Sequence, residues 1–213
     1  MEKIIVMGYG GHGKSVVDSI ISSGMYEIVG YTDVEDRHAE SIAYLGTDDN
    51  LMTLFQNGVE NIAFGIGYMG KSKVREKLYE TVKKIGFQLP PIIDPTATIA
   101  ADAVIQEGCF IGKRVVVNAG TLISRMCIIN TGAIVEHENS IDEYTHIAVG
   151  AVLCGNVTVG KHCLVGANST VIQGTRIGDD VIVGAGSVVL KDIADRQIAA
   201  GVPARIIQRE NTL

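Results

Sequence analysis

No run of eighteen apolar residues occurs in this 213-residue chain, which argues against a membrane-spanning helix. The N-terminus enters Lys3-Ile4-Ile5-Val6-Met7 directly and shows neither the longer apolar core nor the cleavage site of a secretory leader, so a cytoplasmic location is expected. Basic clusters are absent and the net charge is −6, so nucleic acid is not an expected partner. The four cysteines do not have metal-ligand or redox spacing, and no metal is expected.

What the chain does have is a beat of six. From Ile93 to Val189 every sixth residue is Ile, Val or Leu, without a miss. Counting that aliphatic as the first place of each hexad, the fifth place is mostly small or β-branched (Ala97, Cys109, Thr121, Ala133, Thr145, Ser169). A hexapeptide period is the mark of a parallel β-helix, here with three hexads per coil and about six coils. Cys109, Cys127 and Cys163 share the fifth place at spacings of 18 and 36, so they stack in one interior column as buried thiols.

Before the beat the grammar is that of alternating strands and helices, which predicts a parallel α/β sheet. Strands are expected at 3–7, 27–32 and 62–66. Helices are expected at 14–23, with Val16, Val17, Ile20 and Ile21 on one face, and after a cap at Asp48 or Asp49. A third helix is expected at 71–85, ending at Gly86. Pro90-Pro91 punctuates the junction. The expected division is a Rossmann-like domain over 1–90 and a left-handed parallel β-helix with a tail over 91–213. A helix at Ala194–Gln197 or an irregular tail closes the chain.

Gly8-Tyr9-Gly10-Gly11-His12-Gly13 follows a strand and opens a helix, with Asp33 twenty residues beyond Gly13 at the end of the next strand. Glycines let backbone approach a phosphate, a helix N-terminus favours its charge, and an acid at that point can hold a ribose hydroxyl. The alternative is a tight turn with no ligand. About ninety residues suffice for one mononucleotide half, so a sugar nucleotide fits better than NAD. His12 either meets the phosphates or lines the loop.

Stacking residues eighteen apart gives three outward columns. Phe110, Ile128, His146, Leu164, Ile182 and Thr98, Val116, Ile134, Val152, Thr170, Val188 are too apolar for water over that length. Both therefore predict a partner surface, and a homotrimer is expected through them. His146 is the polar break in its column; the functional reading stands beside that of a structurally hydrogen-bonded histidine. His137 lies at a corner in the column Ala119, His137, Gly155, Gln173, whose small members leave room beside the imidazole. Gly155 exposes an amide one coil away, a candidate oxyanion donor. Glu138 either orients His137 or is a solvated corner carboxylate. An imidazole suits general-base work near neutrality. His38 and His162 read as ordinary surface residues.

Together these residues resemble the left-handed β-helix sugar acetyltransferases, and among them the family of the sialic acid O-acetyltransferase NeuD and the UDP-4-amino-sugar N-acetyltransferase PglD. The resemblance rests on the glycine loop, Asp33, Gly65-Ile66-Gly67, the hexads, Ile129 to Glu138 and the Gly201-Val202-Pro203-Ala204-Arg205 ending. It implies a trimer with acetyl-CoA in the groove between neighbouring β-helices. It implies His137 as general base tuned by Glu138, His146 at the thioester, and the Gly155 amide on the acetyl carbonyl. Backbone CoA contacts fall at Ala167 and at Ala185, where glycine is usual. Gly10, Gly11, His12, Gly13, Asp33 and Gly67 correspond to the sugar-nucleotide site; Gly10 stands where the amino-sugar enzymes carry serine. The implied activity is N-acetylation of a UDP-linked 4-amino-sugar, with O-acetylation of sialic acid or a relative as the alternative. A β-helix zinc hydratase, an NAD-dependent oxidoreductase and a non-catalytic sugar-nucleotide-binding trimer are more remote.

Overall fold

The computed structural model describes residues 1–70 and 73–207. These form two compact units, one of residues 1–67 and 73–95, the other of 68–70 and 96–207. Among the described residues no helix is long and apolar enough to cross a membrane.

The first unit is a three-stranded parallel sheet in the order β2–β1–β3, from β1 (Glu2–Met7), β2 (Tyr26–Thr32) and β3 (Asn61–Phe64). Ile4, Ile5 and Val6 are fully buried because a central parallel strand is covered on both faces. Helix α1 (Gly11–Ser23) follows β1 and ends on Gly24, whose left-handed backbone closes onto Ile20 and Ile21. Val16, Val17 and Ile20 are buried, whereas Ile21 points outward, a narrower apolar stripe than the sequence spacing implied. A 3₁₀ turn at Asp48–Asn50 runs into α2 (Leu51–Gln56) with Thr47 as its N-terminal boundary. Asp48 is thus inside the turn rather than its cap, and accepts a 2.8 Å hydrogen bond from the Thr32 hydroxyl. Helix α3 (Val74–Ile85) ends on left-handed Gly86 as expected, with Val82 buried and Val74 half exposed. Lys71 and Ser72, where this helix was expected to begin, lie outside the described residues. Ser19 on α1 donates to Asp94 at 2.7 Å with both side chains buried, so the unit extends to Pro95 rather than stopping at the Pro90-Pro91 pair.

The second unit is a parallel β-helix of two-residue strands, one at each hexad boundary. Ile128 pairs with His146, Ile134 with Val152 and Ser140 with Thr158, so the eighteen-residue stacking holds on all three faces. The fourteen first-place residues from Ile111 to Val189 are at most 1% exposed. Ile99 and Ile105, at the open end of the stack, are only half buried. Each corner needs one left-handed residue. From 108 to 186 every fourth place has positive φ, and glycine fills six of those places. The others include Asn156, Asn168 and Asp180, which tolerate this conformation, and Arg114, Met126, Glu138, Tyr144 and His162, for which it is costly.

The three column cysteines are buried thiols, and each donates to a carbonyl fifteen residues on: Ser124, Asp142 and Gly178. Burial pushes the Cys163 thiol up to about 12. The tail contains strand Ile198–Ala200, which extends the sheet beside Ile182–Val183, and Arg205–Ile206 returns antiparallel to it. No helix forms at Ala194–Gln197. The remaining six residues, 208–213, lie outside the described part.

One of the two apolar columns is covered in part by its own chain. Phe110, Ile128 and His146 are buried, and Gly70 packs on Ile182 and Leu164, which stay half exposed. The column Val116, Ile134, Val152, Val188 is half exposed along its length and is the more open apolar face.

Candidate active site

In the first unit, three glycines bring three backbone segments into mutual contact. A Cβ on Gly13 or on Gly65 would strike the Gly8 carbonyl, and one on Gly8 would lie 2.7 Å from Ile66 Cγ1. The loop is thereby pressed against the end of β3. Around Gly10 and Gly11, by contrast, an added Cβ would meet nothing within 4 Å. Their amides stand at the N-terminus of α1, whose first turn carries no acid, in the arrangement that accepts a phosphate. Gly67 sits against His12, a Cβ there lying 3.5 Å from His12 Cβ.

Asp33 ties this loop to the end of β2. Its carboxylate accepts the Tyr9 N–H at 2.9 Å and the Val34 N–H at 2.7 Å, and Arg37 spans both oxygens at 3.2 Å. Burial raises the Asp33 pKa, but the Arg37 and amide hydrogen bonds outweigh it, and the net shift is downward. Tyr9 stacks on buried Tyr31 at 4.6 Å, which anchors the loop from its other side. Sequence reasoning missed Arg37, because nothing in its spacing marks it as the partner of Asp33.

In the second unit, the corner Glu136–Asn139 presents His137. The imidazole Nδ1 lies 3.2 Å from Glu138 Oε2, and both side chains are exposed. With Nδ1–H donating to the carboxylate, Nε2 carries the lone pair. The ring lies directly over Gly155, where any Cβ would collide with Nε2 and Cε1. Glycine at 155 is therefore the room in which the imidazole sits.

His146 is 7% exposed. Its Nδ1 donates to the Tyr68 carbonyl at 2.7 Å, and Asn130 Nδ2 donates to its Nε2 at 3.2 Å. Such bonding accounts for a polar residue in an apolar column and sets the tautomer. Tyr68 also donates its hydroxyl to the His162 carbonyl at 2.8 Å, and the His162 ring stacks on Tyr144 at 5.2 Å. His162 is thus a packed corner residue rather than an ordinary surface one. His38 is exposed beside Asp36, as expected. The histidines each have their own setting, and among the described residues no group of three or more His, Cys, Asp or Glu is placed to hold a metal.

The expected acyl-carrier residues do not all meet at one corner. His137 and Gly155 follow the Ile134–Val135 and Val152–Leu153 strands. His146, Ala167 and Ala185 belong to the face of the Leu164–Val165 and Ile182–Val183 strands and the corner that follows it. Ala167 is half buried and Ala185 exposed.

Comparison with known proteins covers both units. Residues 3–82 match the PglD N-terminal domain, and residues 103–136 and 150–191 match the hexapeptide repeat of succinyl-transferase. A histidine-to-alanine variant of GDP-perosamine N-acetyltransferase from Caulobacter crescentus, solved with CoA and GDP-perosamine, superimposes with a TM-score of 0.93 at 32% identity over 98% of each chain. The acetyltransferase domain of PglB from Neisseria gonorrhoeae with acetyl coenzyme A gives 0.88 at 32% identity, over 97% of this chain and 99% of that one. WeeI from Acinetobacter baumannii shares the fold at 20% identity with a TM-score of 0.56. With this identity over nearly its whole length, the chain belongs to the NeuD/PglD family of hexapeptide-repeat sugar acetyltransferases.

Proposed function

We propose that this protein transfers the acetyl group of acetyl-CoA to the amine of a 4-amino-sugar carried on a nucleoside diphosphate. The observation that carries the reading is the corner of the second unit, where His137 is polarised by Glu138 and seated on Gly155. Support comes from relatives at 32–33% identity that hold CoA with GDP-perosamine, or acetyl coenzyme A.

In the proposed reaction, His137 Nε2 removes a proton from the sugar amine as its nitrogen attacks the acetyl carbonyl. A C–N bond forms, and the Gly155 N–H holds the tetrahedral oxyanion. The C–S bond then breaks, and the imidazolium returns its proton to the departing CoA thiolate. Glu138 stabilises the imidazolium across the Nδ1 hydrogen bond. His146, with its tautomer set by Tyr68, meets the thioester end, and the backbone at Ala167 and Ala185 contacts CoA.

The exposed backbone of Gly10 and Gly11 at the start of α1, the Gly13 backbone in its first turn, and His12 beside Gly67 take the diphosphate. Asp33 lies at the ribose end and holds the loop. Because His137 and Gly155 lie on a different face from His146, Ala167 and Ala185, one complete site draws on two copies of the chain. That favours a homotrimer with its seam on the Val116, Ile134, Val152, Val188 face.

Thiol release from acetyl-CoA tests the reaction directly. Acceptors would be uridine- and guanosine-diphosphate 4-amino-sugars, the same sugars without the 4-amine, and sialic acid. Release that requires the amine is expected; release with sialic acid and none with the amino-sugars would overturn the proposal. Light scattering on dilute protein tests the assembly, and a stable monomer would overturn the trimer.

A further inference from the structure

Asn139 is the one residue that breaks the fifth-place rule. From Ala97 to Ser187 that place otherwise holds Ala, Cys, Val, Thr or Ser. Asn139 is 1% exposed, and its amide is fully engaged. Nδ2 donates to the Glu136 carbonyl and, at 3.1 Å, to the Cys154 carbonyl; Oδ1 accepts the Val157 N–H at 3.1 Å. The two carbonyls belong to the residues immediately before His137 and Gly155.

Two of these three bonds are the common work of the fifth place. Thr145 makes both, donating to the Gly160 carbonyl at 2.7 Å and accepting the Cys163 N–H at 3.0 Å. The third bond closes the turn. At Ala103, Ala133 and Ala151 a backbone N–H donates to the carbonyl three residues back. At Glu136–Asn139 the side chain of Asn139 donates to that carbonyl, a bond the Ser169 hydroxyl also makes, at 2.6 Å, beside its own backbone N–H. The left-handed place of this turn is held by Glu138 at φ 58°, one of eight such corners filled by a residue other than glycine. That conformation costs roughly 1–2 kcal/mol for a residue with a Cβ.

Resting on the acetyltransferase reading above, we infer that Asn139 is a positioning residue. It clamps the His137–Glu138 turn in its strained form and locks it in register with Gly155. It touches neither substrate; it holds the imidazole, its carboxylate partner and the oxyanion donor in one geometry. A misplacement of about 1 Å at such a site costs on the order of 100-fold in rate.

The test uses Asn139→Thr, which keeps the two cross-coil bonds that Thr145 makes and deletes the turn bond. In the full-length protein, kcat is expected to fall about 10- to 100-fold. KM for acetyl-CoA and for the amino-sugar should stay within about twofold, with the thermal midpoint unchanged. Glu138→Gln should cost much less rate in the Asn139→Thr background than in the parent, because the carboxylate is no longer held on Nδ1. An unchanged kcat, or a loss explained by a fallen thermal midpoint or raised KM, would overturn the inference. The ring resonances of His137, followed by NMR in ligand-free protein at fixed pH, read the same corner independently of turnover. They should move in Asn139→Thr as the ring leaves its place over Gly155, and unmoved resonances would overturn the clamp. Should the parent protein transfer no acetyl group, the acetyltransferase reading fails, while the ring resonances still decide the clamp.

Discussion

The glycine loop of the first unit and the histidine corner of the second are built by opposite means. The loop works by subtraction: Gly8, Gly13 and Gly65 have no Cβ, so three stretches of backbone touch, and Gly10 and Gly11 leave the space beside their backbone empty. At the corner the work is done by side chains that are present. Glu138 accepts a left-handed backbone, Asn139 replaces a small interior residue, and Gly155 is kept bare to receive the His137 ring. A repeating coil tolerates such departures because the coils above and below hold the frame in place. A short loop has no such support, so its shape depends on what each residue omits.

The largest expected effect comes from emptying the corner. His137→Ala should lower kcat about 100- to 10,000-fold at an unchanged thermal midpoint. Binding of CoA and the sugar nucleotide should persist, because the exposed imidazole is asked to move a proton rather than to hold either substrate. Steady-state thiol release beside calorimetric binding separates the two, and near-normal turnover would remove His137 as the base.

Filling the corner's one gap should cost roughly 100-fold. Gly155→Ala pushes the imidazole off its seat, so the loss should appear in kcat and nearly vanish in the His137→Ala background. Full additivity of the two losses would show that the ring and the glycine do not share a geometry.

The loop should respond to a methyl group according to where it is added. Gly13→Ala meets the Gly8 carbonyl and should destabilise the protein by about 1–3 kcal/mol in urea unfolding. Gly10→Ala meets nothing, so its stability should hold while affinity for the sugar nucleotide falls. Equal stability losses in the two would dissolve the distinction between packed and ligand-facing glycines.

Asp33→Asn should have the smallest effect, about 1–2 kcal/mol at neutral pH. The folded-state pKa of Asp33 lies below its unfolded value, so the stabilisation is present above about pH 4 and is lost as pH falls through the folded value. The difference in thermal midpoint between variant and parent should therefore narrow below about pH 4. A difference constant from pH 7 to pH 3 would show that the carboxylate charge is not what ties the loop.

Much of this architecture was legible in the order of residues. The period of six assigned the interior to Ile93 through Val189, which is fully buried from Ile111 onward, and its threefold multiple predicted that Ile128 would pair with His146. The glycine loop and Asp33 could be found because their spacing along one chain segment is the constraint itself. His137 and Gly155, eighteen residues apart, were adjacent as soon as the coil length was known. Other features were hidden by distance in sequence. Tyr68 supplies the carbonyl that holds His146 from 78 residues away, outside any repeat, so the apolar column read as a partner surface before its own chain was seen to cover part of it. Asn139 was visible as a break in the fifth place, but its hydrogen bonds were not.

The sequence by itself determined the two kinds of unit, the stacking register and the positions of His137, Gly155 and the phosphate-type loop. Each follows from a local periodicity or a fixed spacing, and backbone sterics translate these into structure without long-range information. Only the tertiary structure decided that Asp33, itself held by Arg37, holds the loop through the Tyr9 N–H, that Tyr68 sets the His146 tautomer, and that Asn139 closes the His137 turn. Those depend on which donor finds which acceptor among groups brought together by folding, and side-chain hydrogen bonds leave no period in the sequence.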